Sequence, residues 1–169
     1  MPRLMLLRHA KSDRPAGVED HDRPLNGRGR AAARTIGAYL ADHDLLPDLV
    51  LCSTSARTRE TYHRLGVANP PRVEFDERLY LAEADAILAL VRALPRGAEN
   101  VLLIGHNPGL QDAAIALVGT GDAHLRRQLH EKFPTAALAV IDFDGEWPSV
   151  RHRSGRLERF VTPKSADAD

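Results

Sequence analysis

The chain has 169 residues, of which 43% are hydrophobic and 27% charged, and its formal net charge is zero. That length fits one domain with a single compact core, and the balanced charge excludes wholesale attraction to nucleic acid or to a membrane surface. Cys52 is the sole cysteine, so no internal disulfide can form. No apolar run reaches the length of a signal h-region or a transmembrane helix, and the expected compartment is the cytoplasm.

Leu4 to Leu7 form an apolar run that ends abruptly at Arg8-His9. A run of that kind predicts a central strand buried on both faces of a parallel sheet, with the basic pair at its carboxyl end, where α/β sheets bind ligands. Lys11 to Asn26 lacks apolar periodicity and predicts a loop over that strand end. Asn26 is a candidate N-cap for a helix running to about His43, carried by Ala32, Ile36, Tyr39 and Leu40. Leu49 to Cys52 predicts a second buried strand, and Ser53, Thr54 and Ser55 can cap a helix with Arg57 in its first turn.

Asn69-Pro70-Pro71 ends that helix, Val73 to Phe75 predicts a short strand, and Glu83 to Leu94 shows a helical apolar face. Val101 to Ile104 is a further strand running into Gly105-His106-Asn107-Pro108, with Asn107 as candidate N-cap and Pro108 in the first helical position. The helix is expected to continue to Gly119 and to be followed by an amphipathic piece from Asp122 to Lys132. Ala136 to Phe143 predicts a strand, Asp144-Gly145 a hairpin turn, and Trp147 to about Val161 antiparallel edge strands. The predicted fold is a three-layer α/β/α sandwich with a mostly parallel central sheet and an antiparallel C-terminal edge hairpin. One domain is expected over 1–162, with 163–169 as a disordered tail.

Three predicted strand ends thus carry the same kind of group: Arg8 with His9, Arg57, and His106. Converging on one anion, two guanidiniums can grip a phosphoryl group while one imidazole supplies a nucleophilic nitrogen and the other a donor. Nearby cations keep an imidazole neutral, as a nucleophile must be, and neutralise the equatorial oxygens of a loose transition state. Cys52 and Arg57 also raise a cysteine-nucleophile reading, but their interval is shorter than that loop requires, and a packed thiol is the expectation. Asp20-His21-Asp22 has metal-ligand residue types without a second cluster at ligand spacing, so no metal or other cofactor is expected. His43, His63, His124, His130, His152, Tyr62 and Trp147 are expected to be surface or packing residues.

Arg8-His9 after an apolar strand, Ser53 to Arg57 after the next, and Gly105-His106 opening a later helix resemble the histidine phosphatase (phosphoglycerate mutase-like) superfamily. Arg23-Pro24-Leu25-Asn26 followed by Gly29, and Gly105-His106-Asn107-Pro108, are most similar to its phosphohistidine phosphatases of the SixA type. Over residues 3 to 143 the resemblance implies that His9 becomes phosphohistidine, that Arg8, Arg57 and His106 form the phosphate pocket, and that Arg23 adds an anion contact. It implies a metal-independent phosphatase acting on a phosphohistidine protein; a small-molecule phosphomonoesterase or a non-catalytic phosphate-binding module are the alternatives.

Two positions depart from the family pattern. Ala10 stands where glycine is usual, which fits if that residue needs no positive φ. Arg78-Leu79-Tyr80-Leu81 holds no carboxylate where relatives place a general acid, leaving Glu83, Asp20 and Asp22 as candidates near in sequence only.

Overall fold

The computed structural model describes residues 1–168 of the chain. Seven strands form one sheet: β1 (Arg3–Arg8), β2 (Leu49–Ser53), β3 (Arg72–Asp76), β4 (Asn100–Gly105), β5 (Val118–Gly121), β6 (Leu138–Phe143) and β7 (Gly155–Val161). Their order across the sheet is β3-β2-β4-β1-β6-β7-β5. β3, β2, β4 and β1 pair in parallel, β6 runs against both its neighbours, and β5 lies parallel to β7. The helices are α1 (Gly27–Asp42), α2 (Ala56–Leu65), α3 (Ala84–Arg92), α4 (Gly109–Leu117), α5 (Ala123–Glu131) and α6 (Pro163–Ala168).

The period of two along β1 explains its unbroken apolar run. Leu4 and Leu6 join the core beneath α3, α4 and α5, while Met5 and Leu7 join the core beneath α1 and α2. All four are fully buried, as a strand covered on both faces requires. Arg3 at its start makes a paired contact with Asp142, its cross-strand partner on β6, at 2.7 and 2.8 Å.

Capping follows the sequence closely. The Asn26 side chain accepts from Gly29 N, that of Ser55 from Thr58 N, and that of Asp122 from His124 N and Leu125 N, each satisfying orphan donors of a first turn. α4 differs from expectation, starting at Gly109 after a cis Asn107–Pro108 bond, so Pro108 precedes the helix. The Asn107 side chain still accepts from Gln111 N at 3.1 Å and donates to the Phe133 carbonyl at 2.9 Å.

The C-terminal third needs three corrections. The helix expected to reach Gly119 stops at Leu117, and Val118–Gly121 becomes β5, which lies outside β7 and places the antiparallel β6–β7 pair one strand in from the edge. The signal is tertiary: a Cβ at Gly119 would stand 2.0 Å from the Arg153 carbonyl, so only glycine permits this close approach. Trp147 does not begin a returning strand; it sits in a 3-10 turn with its indole buried and donating to the Ala98 carbonyl at 2.7 Å. Burying that ring outweighs extending the hairpin, and β7 starts only at Gly155. Finally, residues 163–168 of the expected disordered tail form α6, whose Ala166 packs on the α1 side of the core, and Asp169 lies outside the described residues.

Candidate active site

β2, β4 and β1 are adjacent and parallel, so their carboxyl ends open on one edge of the sheet. Arg8 lies level with Gly105, and Cys52 level with Ile104. His9, His106 and Ser53 therefore leave three neighbouring strands side by side, and Arg57 follows from the first turn of α2. The His9 and His106 rings stand 5.4 Å apart between centroids, and Arg57 Nη2 lies 3.4 Å from His106 Nδ1.

Hydrogen bonding sets both imidazole tautomers. His9 Nδ1 is 2.8 Å from the Ala10 carbonyl, which can only accept, so Nδ1 carries the proton and Nε2 the lone pair. His106 Nδ1 faces a guanidinium, which can only donate, so its proton is on Nε2, directed at Ser53 Oγ at 2.8 Å. Burial pushes the His9 pKa down to about 4, and the guanidiniums of Arg57, Arg8 and Arg23 add to that effect. Burial and the neighbouring His9 and Arg57 push His106 down to about 3. Both rings are neutral at physiological pH.

The arginines are sunk rather than solvated. Arg57 is 3% exposed, and burial together with Arg57 lowers the Arg8 pKa. Arg8 Nη1 donates to the Phe133 carbonyl at 3.1 Å, yet the Nε groups of both Arg8 and Arg57 are buried without a hydrogen-bond partner among the described residues. A guanidinium set against two neutral imidazoles, with a second just beside them at the end of β1, makes a place suited to an oxyanion. Arg23 is also nearly buried, held by Ser12 Oγ at 2.8 Å and the Asp13 carbonyl at 3.1 Å.

Of the three carboxylates considered as acids, only Asp20 is shown bonded to these groups. Its Oδ1 accepts from Arg23 Nε at 3.1 Å, and its Oδ2 from Arg57 Nη2 at 3.1 Å and from the Tyr80 hydroxyl. The Tyr80 hydroxyl, Arg57 and Arg23 hold it well below the usual carboxylate range. Asp22 is exposed beside His21, and Glu83 is the N-cap residue of α3, with its backbone against Gly109. His21 Nε2 lies 2.9 Å from Thr54 Oγ1, its ring edge-on to Tyr80. Asp20 and His21 of the Asp-His-Asp run are thus committed to protein partners.

Three contributors went unread in the sequence. Tyr80 occupies the stretch that lacked an acid and puts its hydroxyl on Asp20. Ser53, expected only as a cap, holds His106. Thr61 accepts from Ala10 N at 3.0 Å and donates to the Arg57 carbonyl at 2.7 Å, joining the His9 loop to the Arg57 helix. Its interval of one helical turn from Arg57 was the available signal. Ala10 has no positive φ and packs in the core, so glycine is not needed there. Cys52 is fully buried, and burial pushes its thiol pKa up to about 12, which suits packing and not attack.

A parallel-sheet edge bearing two sunken arginines and two neutral histidines defines a phosphatase-type enzyme. The model for the histidine phosphatase superfamily (branch 1) matches residues 4–86. A solved structure from Nakamurella multipartitia, described as a candidate phosphohistidine phosphatase SixA, superposes with a TM-score of 0.86 at 32% identity, covering 96% of each chain. Another described in the same way, from Agrobacterium tumefaciens, gives 0.82 at 34%, covering 96% of this chain and 99% of that one. The uncharacterised protein Rv1276c of Mycobacterium tuberculosis is 36% identical over 160 residues, covering 94% of this chain and all of that protein. The chain belongs to the histidine phosphatase superfamily.

Proposed function

We propose that the protein hydrolyses phosphoryl groups through a phosphohistidine on His9, without a metal ion, and that its substrate is a phosphohistidine borne by another protein. The observation that carries this reading is the state of His9: neutral, with Nδ1 held by the Ala10 carbonyl and the Nε2 lone pair free to attack. Arg8, Arg57 and Arg23 supply the positive charge that a loose phosphoryl transition state requires. A dianion seated beside His106 raises the pKa of that ring and so turns Nδ1 into a further donor. The phosphoryl group passes from the substrate to His9 Nε2, and water then attacks phosphorus, returning the neutral imidazole and releasing orthophosphate.

The leaving group supports the choice of substrate. The carboxylate nearest the pocket, Asp20, is held ionised by its partners and so is no proton donor in the empty site. Imidazole leaves well once protonated, whereas an alkoxide needs a strong acid beside it. The neighbours described as candidate SixA phosphohistidine phosphatases support that preference. No helix among the described residues is long and apolar enough to cross a membrane, and we place the protein in the cytoplasm, where a lone buried thiol persists.

His9→Ala is expected to abolish turnover of an aryl phosphate while orthophosphate still binds, and the wild-type protein should form an acid-labile, base-stable phosphoenzyme. Unchanged turnover in that variant would remove the mechanism. Chelator should leave the wild-type rate unaltered, and a rate restored by zinc or manganese would contradict the metal-free reading.

A further inference from the structure

Asp20 holds both of its anion contacts on residues assigned to the phosphate. Its Oδ2 lies 3.1 Å from Arg57 Nη2, the same amino group that stands 3.4 Å from His106 Nδ1. Its Oδ1 lies 3.1 Å from Arg23 Nη2, and its backbone carbonyl accepts from Arg57 Nη1 at 2.7 Å. The Tyr80 hydroxyl donates to Oδ2 and so holds the carboxylate in place. Arg57 and Arg23 lie beneath, at 3% and 11% side-chain exposure, whereas Asp20 remains 47% exposed on the outer side.

We propose that Asp20 is a resident competitor for the anion seat: its carboxylate occupies Arg57 and Arg23 in the empty pocket, and an incoming phosphoryl group must displace it. The proposal rests on the reading of this pocket as phosphoryl-binding and adds the residue that sets its affinity. The base of the carrying loop is pinned by Asn26 N to the Lys11 carbonyl, Asp13 N to the Pro24 carbonyl, and the bridge between Ser12 and Leu25. Residues 14–20 above that base are exposed, and the Asp20 backbone is held by Arg57 Nη1, so the exchange needs only its side chain to turn outward to solvent. A dianion has more charge than a carboxylate and so binds the guanidiniums more strongly, which lets it win the exchange. Free orthophosphate, bound against that competition, leaves readily, which favours turnover over product inhibition.

The sign of one measurement separates this role from a structural one. Orthophosphate affinity is measured by calorimetry, and as competitive inhibition of aryl phosphate turnover, for wild type, Asp20→Asn, Asp20→Ala and Tyr80→Phe. Removing the competitor should tighten orthophosphate binding about three- to tenfold in both Asp20 variants, the range of an ion pair with one buried partner. Tyr80→Phe, which loosens the catch alone, should give a smaller gain in the same direction. A residue that only shaped the loop, or donated a proton to the leaving group, would leave binding equal or weaker when removed. Either result, with wild type still binding orthophosphate, overturns the proposal and leaves the pocket reading standing. Absence of orthophosphate binding in every protein would overturn both.

Discussion

Thr61 has no contact with a phosphoryl group in the proposed mechanism, yet it links the two residues that matter most. Its hydroxyl receives the Ala10 N–H and gives its own proton to the Arg57 carbonyl, while the Ala10 carbonyl fixes His9. Thr61→Val keeps the shape and removes both bonds, leaving a buried amide unpaired. Stability should fall by about 1–3 kcal/mol, and kcat should fall more than KM rises, because the nucleophile is misaimed while the arginines remain. Thr61→Ser should restore most of both, as read by denaturant unfolding and steady-state kinetics. An unaltered kcat in Thr61→Val would show that His9 is positioned without this bridge.

At the scale of elements, the pocket depends on how tightly α2 lies against α1. A Cβ at Gly37 would stand 1.8 Å from the Leu65 carbonyl, so the two helices approach backbone to backbone at the end of the helix that carries Arg57. Gly37→Ala must push them apart, at a cost of about 1–3 kcal/mol. At about 2–4 °C for each kcal/mol in a domain this size, Tm should drop by several degrees. Gly97→Ala, where an added methyl meets no atom within 4 Å, is the control and should leave Tm unchanged. Glu60 ties the same helix to the loop below Asp20, accepting from Leu25 N at 3.0 Å, and to α1, accepting from Arg30 Nε at 2.5 Å. The short strand β5 belongs to this scale as well. Two glycines and a threonine in Val118–Gly121 show little strand pattern, and only β7 lying alongside makes them one.

For the molecule as a whole, the buried neutral histidines set an acid limit. His9 and His106 have folded pKa values of about 4 and about 3 against an ordinary 6.5, so the unfolded chain takes up protons first as pH falls. The stability they contribute is fully present above about pH 6.5 and is lost as pH falls from there through about 4 for His9 and about 3 for His106. Between pH 7 and 5 the loss should amount to a few kcal/mol, on the order of 1.4 kcal/mol for each tenfold difference in proton affinity. Urea unfolding at pH 7, 6 and 5 should show it, with a shallower slope in His9→Ala. The same slope in both proteins would mean that His9 is not held neutral by the fold.

Much of this architecture is written locally. The buried run Leu4 to Leu7, the caps Asn26, Ser55 and Asp122, and the basic residues at or beyond the ends of β1, β2 and β4 follow from side-chain period and capping chemistry, which act over a few neighbouring residues. Alternation of strand and helix then places His9, Arg57 and His106 on one edge of a parallel sheet. The rest depends on partners far away in the chain. Tyr80 reaches Asp20 across 60 positions, Ser53 meets His106 across 53, and β5 exists only where glycines let β7 approach. No local preference encodes such meetings: they arise when the whole chain packs and most polar groups drawn into or against the fold find counterparts.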